Sequence, residues 1–174
     1  VFVRQLAKDY QLKIHVKHFD TQIFAVENKI SVQMAARDLR YTWFRDLLVS
    51  ENAHYIAVAH HANDDTETFF INLLRGSGLK GLIGIKEKTE RIVRPLMAVS
   101  RAEIIQFLKE NDISFREDSS NASPKYLRNK IRHELMPLLS KINPSIQQTI
   151  IDEIKILEGV AQIYYARIEE VRKK

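Results

Sequence analysis

The chain has 174 residues, 45% of them hydrophobic, which is enough for one domain with a sizeable core or for one domain with an appendage. It contains no cysteine, which excludes disulfides and thiol chemistry and is compatible with a cytoplasmic location. No apolar run reaches the roughly 18 residues of a membrane-spanning helix, so we predict no membrane segment. The net charge of +5 favours an anionic partner, and nucleic acid before others where the positive charge is clustered.

The N-terminal part of the chain predicts two helices with a strand between them. Residues 1–10 have the pattern of the end of a helix, from which we expect that the natural N-terminus lies upstream. Residues 12–19 alternate apolar with polar side chains and predict a half-buried strand near a sheet edge. The polar residues 20–29 predict a connection, and Ser31 is a suitable N-cap for a helix that continues to about residue 49.

Two arginines of this second helix, Arg37 and Arg40, are three residues apart and therefore neighbours on the helix surface. On spacing alone, an ordinary solvated face is favoured, in which the arginines pair with Asp38 or Asp46. The spacing by itself therefore predicts a structural role for both arginines.

The densest concentration of reactive side chains follows a strand predicted over residues 54–60. His60 and His61 lie at the end of this strand, and Asp64 and Glu67 lie at the start of the helix that follows. In open parallel α/β sheets, ligands bind at this edge. The spacing of Asp64 and Glu67 also fits a capping box, which is favoured over catalysis for Glu67 and evenly balanced with catalysis for Asp64. The spacing of the histidines and Asp64 matches no standard metal site.

The helix after Asp64 is predicted to end at Gly76, where a left-handed backbone is easily accommodated. The turn from Gly76 to Gly78 either cradles a phosphate or only terminates the helix, and this signal is weak by itself. The pattern then predicts a loop, a strand and a helix with a capping box, over residues 79–90, 91–97 and 100–110. This alternation of helices and strands predicts an α/β fold with a doubly wound parallel sheet.

A basic helix is predicted to begin at Ser123-Pro124 and to kink or break near Met136, because Pro137 lacks a backbone N–H. Five of nine consecutive residues in this helix can carry positive charge, namely Lys125, Arg128, Lys130, Arg132 and His133. A solvated face usually carries fewer positive charges, so we predict a surface that contacts phosphate.

The C-terminal residues 144–174 predict a single helix with a heptad seam. The seam consists of Ile150, Ile154, Leu157, Ala161, Tyr164, Ile168 and Val171. A helix this long with one apolar side is not expected to end a compact domain alone. We therefore predict that it packs against a further domain or pairs with another chain.

Together these motifs resemble the tRNA(Ile)-lysidine synthetase family, which belongs to the PP-loop ATP-pyrophosphatases. The resemblance rests on His60-His61-x-x-Asp64-x-x-Glu67-Thr68, residues 74–82, Arg94-Pro95-Leu96, Ser100-Arg101, Arg116-Glu117-Asp118-x-x-Asn121 and Arg128-Asn129-x-Ile131-Arg132, with Ala36-Arg37-x-x-Arg40-Tyr41 upstream. The match is collinear over roughly residues 1–144. It implies a Rossmann-like sheet of the adenine nucleotide alpha-hydrolase type in a catalytic part over 1–142, with the basic helix at 124–134, followed by a linker helix over 143–174 toward a C-terminal domain.

The resemblance implies a reaction in two steps. ATP adenylates C2 of the wobble cytidine in the CAU anticodon of an isoleucine tRNA and releases pyrophosphate. An amine of free lysine then displaces AMP and forms lysidine, so the protein is expected to be a cytoplasmic ligase that uses ATP and Mg²⁺.

The family's functional residues correspond to named positions in this chain. The implied catalytic residues are Asp64, Glu67, Arg128 and Arg132. The residues implied to bind ATP or lysine are Arg37, Arg40, His60, His61, Asp64, Gly76 and Gly78. Those implied to bind tRNA are Lys80, Asp118, Lys125, Arg128, Lys130 and Arg132. Asp64 is implied to hold Mg²⁺, and either Glu67 or Asp118 to orient or deprotonate the lysine ammonium group.

The chain departs from the family at one motif. The family's Ser-Gly-Gly-x-Asp-Ser loop, which holds the ATP phosphates, has no counterpart, since the glycines lie at 76, 78, 81, 84 and 159. We therefore expect the chain to be an internal portion that does not bind ATP productively or act alone. Three alternatives stay open: another PP-loop tRNA-modifying or amide-forming synthetase, a non-catalytic RNA-binding module, and a dimerisation segment that forms a homodimer through the last helix.

Overall fold

The computed structural model describes residues 2–116 and 127–173. The chain divides into two compact units, residues 1–54 and residues 55–174, and each unit has its own buried side chains. No helix within the described ranges combines the length and the apolar character that a bilayer-spanning segment requires.

The described helices of the first unit are α1 (Phe2–Asp9), α2 (Thr21–Glu27) and α3 (Val32–Ser50). The predicted start of α3 is confirmed, because Ser31 Oγ accepts the Met34 N–H at 3.2 Å and so satisfies a free donor of the first turn. Helices α2 and α3 pack against each other. The buried side chains at the centre of this unit are Ala25, Ala35 and Leu48.

Two predictions for the first unit are wrong. Residues 12–19 form neither a strand nor a helix, and their alternating apolar side chains are exposed up to Val16. Alternation produces a strand only where a neighbouring strand completes the hydrogen-bond ladder, and no strand in the described ranges pairs with this segment. Residues 20–29 were predicted as a connection but contain α2, whose N-cap Asp20 accepts the Ile23 N–H at 3.0 Å.

The described elements of the second unit are β1 (Ile56–Ala57), α4 (Ala62–Leu74), α5 (Gly78–Leu82), β2 (Lys88–Thr89), β3 (Ile92–Val93), α6 (Arg101–Glu110), α7 (Leu127–Lys130), a π-helical turn (Ile131–Leu135), α8 (Met136–Ile142) and α9 (Ile146–Arg172). The strands form a sheet in the order β1, β3, β2. Strands β1 and β3 are parallel, with Ile56 opposite Ile92, whereas β2 is antiparallel to β3.

This sheet agrees only in part with the predicted α/β fold. The parallel pairing of β1 with β3 is the arrangement expected of that class. Within the described ranges, however, the sheet has three strands and mixed direction, so it does not show a doubly wound parallel sheet. The segment predicted as a loop over 79–90 contains α5 and β2, because elements of five and two residues are too short to produce a hydrophobic period.

The capping box predicted for α6 is confirmed. The Ser100 N–H donates to Glu103 Oε2 at 2.8 Å, and the Glu103 N–H donates to Ser100 Oγ at 3.2 Å. These two bonds satisfy two backbone donors at the start of the helix and fix where α6 begins.

Pro137 was predicted to kink or break the basic helix near Met136; the α-helical pattern is interrupted just before Met136 by a π-helical turn, but the helical path does not break. The chain passes from α7 through the π-helical turn into α8, and the Met136 N–H donates to Ile131 O across five residues. Pro137 lies in the first turn of α8, directly after the π-helical turn. A π-helical turn therefore accommodates the proline within a continuous helical path.

Helix α9 is a single helix of 27 residues, as predicted. The first half of its apolar seam packs within the unit, against α4 and α5, and buries Ile154 and Ala161. In the second half, Tyr164 and Val171 are 53% and 58% exposed. Helices α4 and α5 cover this first half, and the packing of the helix against a further domain or another chain stays a prediction.

Candidate functional site

The site begins where the chain leaves β1 and enters α4. His61 is the N-cap residue of α4, and its backbone N–H donates to Asp64 Oδ2 at 3.0 Å. Asp64 is therefore the capping acid, and the predicted pairing of Asp64 with Glu67 in one box is wrong. Its carboxylate lies in the first turn of the helix, where the helix dipole favours negative charge.

Glu67 lies one turn further along α4 and is 2% exposed. Both of its oxygens bind the Arg132 guanidinium, with Nε donating to Oε1 at 2.6 Å and Nη2 donating to Oε2 at 3.0 Å. A two-point contact of this kind is the strongest form of charge-assisted hydrogen bond between side chains. The hydrogen bonding that Arg132 donates to Glu67 is the main cause of the raised pKa of Arg132. Burial opposes this shift, and the charges of Glu67 and Asp64 add to it.

Arg128 lies beside this pair but is held less tightly. Its Nη2 donates to Thr68 Oγ1 at 3.2 Å, its Nε lies 3.6 Å from Glu67 Oε2, and its Nη1 lies 3.9 Å from Asp64 Oδ1. Its side chain is 42% exposed, compared with 24% for Arg132. Arg128 is thus the more accessible of the two guanidinium groups.

The cluster has a simple geometric origin. Asp64, Glu67 and Thr68 are spaced i, i+3 and i+4 and therefore lie on one face of α4. Arg128 and Arg132 are spaced i and i+4 along the α7 path and share the facing side. Two carboxylates and two guanidinium groups bring the formal charge of the cluster close to zero. An accessible arginine beside buried carboxylates can bind a phosphate or a carboxylate through its remaining donors.

Of the two histidines predicted near the start of α4, His61 contacts this cluster. His61 Nε2 lies 3.6 Å from Asp64 Oδ2, a contact that becomes an ion pair when the histidine is protonated. His60 is half-buried. In the described ranges, no three His, Cys, Asp or Glu side chains lie close enough together to form a metal site. Asp64 would therefore supply only one protein ligand to a metal ion.

Three predicted residues lie away from the cluster. Gly76 and Gly78 follow the C-terminal end of α4. The rise per residue of an α-helix places this end of α4 roughly 18 Å from Asp64. Both glycines have positive φ, of 64° and 63°, a backbone conformation that favours glycine. Lys130 is exposed and lies on the opposite side of α7 from Arg128, because two residues turn a helix by about 200°.

Of the remaining predicted residues, two belong to the first unit, one belongs to α5 of the second unit, and two lie outside the described residues. The Arg37 and Arg40 guanidinium carbons lie 4.6 and 5.7 Å from the centre of the Tyr41 ring. Within the described ranges neither arginine forms an ion pair, so the predicted pairing with Asp38 or Asp46 is wrong. Lys80 is exposed in the second unit, after α4. Asp118 and Lys125 lie outside the described residues.

Sequence reasoning missed two residues that position the start of α4. Asn63 accepts the Arg101 N–H at 2.8 Å and donates to Gln147 at 2.7 Å, which joins α4 to the starts of α6 and α9. Asp65 accepts the Ile85 N–H at 2.6 Å. Their position within the motif that follows β1 was the available signal, but their partners lie 20 or more residues away and leave no local pattern.

Asp65 also lines a cavity of about 540 Å³, together with Lys155 and Glu158 of α9. Burial is the main cause that raises the pKa of Asp65, the Ile85 N–H opposes this shift, and the charges of Glu158 and Asp64 add to it. Gly84 has φ of 66°, and a Cβ there would collide with the Asp65 carboxylate. The chain therefore passes close to Asp65 at a position that only glycine allows.

Comparison with known proteins shows which family the sequence of this chain matches. A family model described as the PP-loop domain matches residues 1–139. The tRNA(Ile)-lysidine synthase of Bacteroides thetaiotaomicron is 44% identical over 173 residues, which cover 99% of this chain and 41% of the relative. That of Porphyromonas gingivalis (strain W83) is 44% identical over 170 residues, with 97% and 37% covered. That of Thermosipho africanus is 40% identical over 162 residues, with 93% and 37% covered. The chain thus spans about two-fifths of the length of these relatives.

Proposed function

Because this chain belongs to the PP-loop domain family, we propose that it forms part of an ATP-dependent ligase that attaches lysine to the wobble cytidine of an isoleucine tRNA. The observation that supports this proposal best is the cluster of Asp64, Glu67, Arg128 and Arg132 after the carboxyl end of β1. These four side chains come from two separate motifs of the sequence, 60 or more residues apart, and meet in one place. We also propose that the protein has a doubly wound parallel sheet and a cytoplasmic location.

The proposed reaction transfers two groups in sequence. The oxygen on C2 of the cytidine attacks the α-phosphorus of ATP, and the bond to the departing pyrophosphate breaks. A lysine amine then attacks C2, the bond from C2 to oxygen breaks, and AMP leaves with that oxygen while the amine loses a proton. Both steps place negative charge on phosphate oxygens, which guanidinium groups stabilise best when they are already oriented.

We assign different roles to the two arginines. Arg128 is the catalytic arginine, since its more exposed fork leaves donors that can meet a phosphate. Arg132 is engaged by Glu67 through two short bonds, so we assign it to holding the Glu67 carboxylate and the facing helices in place. Glu67 is correspondingly a carboxylate that orients Arg132, because both of its oxygens accept hydrogen bonds from that guanidinium group.

Asp64 is the carboxylate that we assign to ligand binding. One of its oxygens accepts the His61 N–H, and the other lies 3.9 Å from both arginines. Mg²⁺ in polyphosphate sites is held by one or two carboxylates together with phosphate oxygens and water, so Asp64 fits as one ligand and the bound ion would offset phosphate charge. Asp64 is also the acid best placed to orient the ammonium group of lysine.

The remaining predicted residues take supporting roles in the proposal. Arg37 and Arg40 bind an anionic group of ATP or lysine, since both are free of ion pairs in the described ranges. His60 and His61 flank the ligand site, and Gly76 and Gly78 shape the turn after α4. Lys80, Asp118, Lys125 and Lys130 are assigned to the tRNA surface. Residues 1–142 then form the catalytic part, and residues 143–174 form a helix that leads toward a further domain.

Substitution of Asp64 tests this proposal. Lysine incorporation and pyrophosphate release are measured with tRNA(Ile) bearing CAU and with the same tRNA carrying a different wobble base, in the protein as its gene encodes it. The wild type is expected to require ATP, lysine and cytidine, and Asp64→Asn is expected to lower the rate on the order of 100-fold. Asp152→Asn is the matched control, since Asp152 is exposed on α9. Wild-type protein without lysine incorporation, or Asp64→Asn with the control's rate, would contradict the proposal.

A further inference from the structure

The two arginines of the cluster differ in what holds them. Arg132 forms two short bonds with a carboxylate that is 2% exposed. Arg128 lies 3.6 and 3.9 Å from the two carboxylates, which are contacts between charges and not hydrogen bonds. Within the described ranges, Thr68 Oγ1 is the acceptor that lies within hydrogen-bonding distance of Arg128, at 3.2 Å from Nη2. The direction of the Arg128 fork therefore depends on a neutral hydroxyl group.

The position of Thr68 makes this dependence specific. Thr68 follows Asp64 by one turn of α4 and adjoins Glu67, so its hydroxyl and the two carboxylates form three acceptors along one face. A long arginine side chain that is 42% exposed samples many rotamers unless an acceptor selects one. With Nη2 on Thr68, and with Nε and Nη1 directed toward Glu67 and Asp64, each group of the fork has a defined neighbour.

We propose that Thr68 is a positioning residue, whose hydroxyl orients the Arg128 guanidinium so that its remaining N–H donors meet a phosphate oxygen of the nucleotide. This inference rests on the proposed function, because it assumes that Arg128 contacts the phosphate. Thr68 itself touches no reacting atom. Its contribution is the lower conformational freedom of Arg128 before the ligand arrives, which improves binding without adding a contact.

Three variants of the natural protein separate this role from a structural one. Thr68→Val keeps the side-chain shape and removes the acceptor, whereas Thr68→Ser keeps the acceptor. Thr66→Val is the matched control, because Thr66 lies on the same helix, is 1% exposed, and donates to the Ala62 carbonyl. It makes the same chemical change without a contact to Arg128.

Two measurements are needed. The first is the KM for ATP and the kcat of pyrophosphate release with saturating tRNA. Thr68→Val is expected to raise the KM on the order of tenfold and also to lower kcat, because Arg128 stabilises charge that develops in the transition state. Thr68→Ser and Thr66→Val are expected to keep the wild-type KM within about twofold. The second is the heteronuclear NOE of the Arg128 Nε resonance, assigned with Arg128→Lys, which is expected to fall in Thr68→Val alone.

The outcomes distinguish this inference from the proposed function. A wild-type protein without ATP-dependent activity overturns the proposed function, and the NOE then decides whether Thr68 orients Arg128. An unchanged NOE in Thr68→Val overturns the positioning role, as does an unchanged KM in an active protein. A KM for ATP that is raised in Thr68→Ser, or raised equally in Thr66→Val and Thr68→Val, also overturns the positioning role, because the hydroxyl acceptor of Thr68 would then not be the cause.

Discussion

Removing Arg132 should destabilise the second unit, because it leaves Glu67 buried without its main partner. The substitution Arg132→Met keeps much of the side-chain volume and removes the guanidinium group. Glu67 is 2% exposed, so water cannot replace the two lost bonds of 2.6 and 3.0 Å. A buried carboxylate without a partner keeps its desolvation cost and loses the attraction that offset it.

The expected size of this effect follows from the contacts around Glu67. Removing one partner of a fully buried ion pair typically costs about 3–5 kcal/mol. Two features place this pair at or below the lower end of that range. Arg132 is itself 24% exposed, and Arg128 Nε lies 3.6 Å from Glu67 Oε2, where a small shift would let it bond to the carboxylate. We therefore expect Arg132→Met to lower the free energy of unfolding by about 2–3 kcal/mol.

Urea unfolding followed by far-ultraviolet circular dichroism measures this change, supported by hydrogen exchange of the α4 amides. Fluorescence of Trp43 is not suitable, because this tryptophan lies in the first unit. Arg167→Met is the matched control, since Arg167 binds Glu170 at 2.8 Å but both side chains are more than 60% exposed. That exposed pair should cost less than about 0.5 kcal/mol. Equal costs for the two substitutions would refute the view that burial makes the Glu67 contact important.

Three further predictions concern neighbouring residues. Asp65→Asn should be more stable than the wild type at high pH. The pKa of Asp65 is raised in the folded state, so its contribution to stability is complete at low pH and is lost as the pH increases through the folded-state pKa. In unfolding curves, the stability gained by Asp65→Asn over the wild type should therefore be larger at pH 7 than at pH 4, and the reverse order would contradict this reasoning. Gly84→Ala should cost about 2 kcal/mol or more, since an added Cβ collides with Asp65, whereas Gly76→Ala, with similar φ and open space, should cost about 1 kcal/mol, and equal shifts in thermal midpoint would contradict this. Lys130→Met should weaken tRNA binding similarly across sequences and reduce the slope of log affinity against log salt by about one, because Lys130 is exposed and assigned to the tRNA surface, and an unchanged slope in a binding titration would argue against that phosphate contact.

Local signals in the sequence predicted several elements correctly. Ser31 and the Ser100–Glu103 pair marked the starts of α3 and α6, because a capping side chain binds a backbone donor within three residues. The length of α9 also followed from its repeating apolar positions. These features depend on neighbours in the chain, so their physical causes are visible in the sequence.

Predictions that needed a partner from elsewhere in the chain were less successful. The alternation over residues 12–19 did not produce a strand, because strand formation depends on a neighbouring strand. The spacing of Asp64 and Glu67 suggested a shared cap, but Glu67 binds Arg132 instead. The solvated pairing of Arg37 with Asp38 was also wrong within the described ranges, where Arg37 lies over Tyr41.

The amino-acid sequence is sufficient to show which side chains share a face, because helical periodicity places Asp64, Glu67 and Thr68 together whatever the rest of the chain does. It also determined the family, through motifs whose order and spacing are collinear. Which arginine contacts which acceptor depends on how the chain folds, since those contacts join residues 60 and 65 positions apart. The unequal burial of Arg128 and Arg132 arises from packing between helices, and it makes one guanidinium group a structural partner of Glu67 and leaves the other accessible to a ligand.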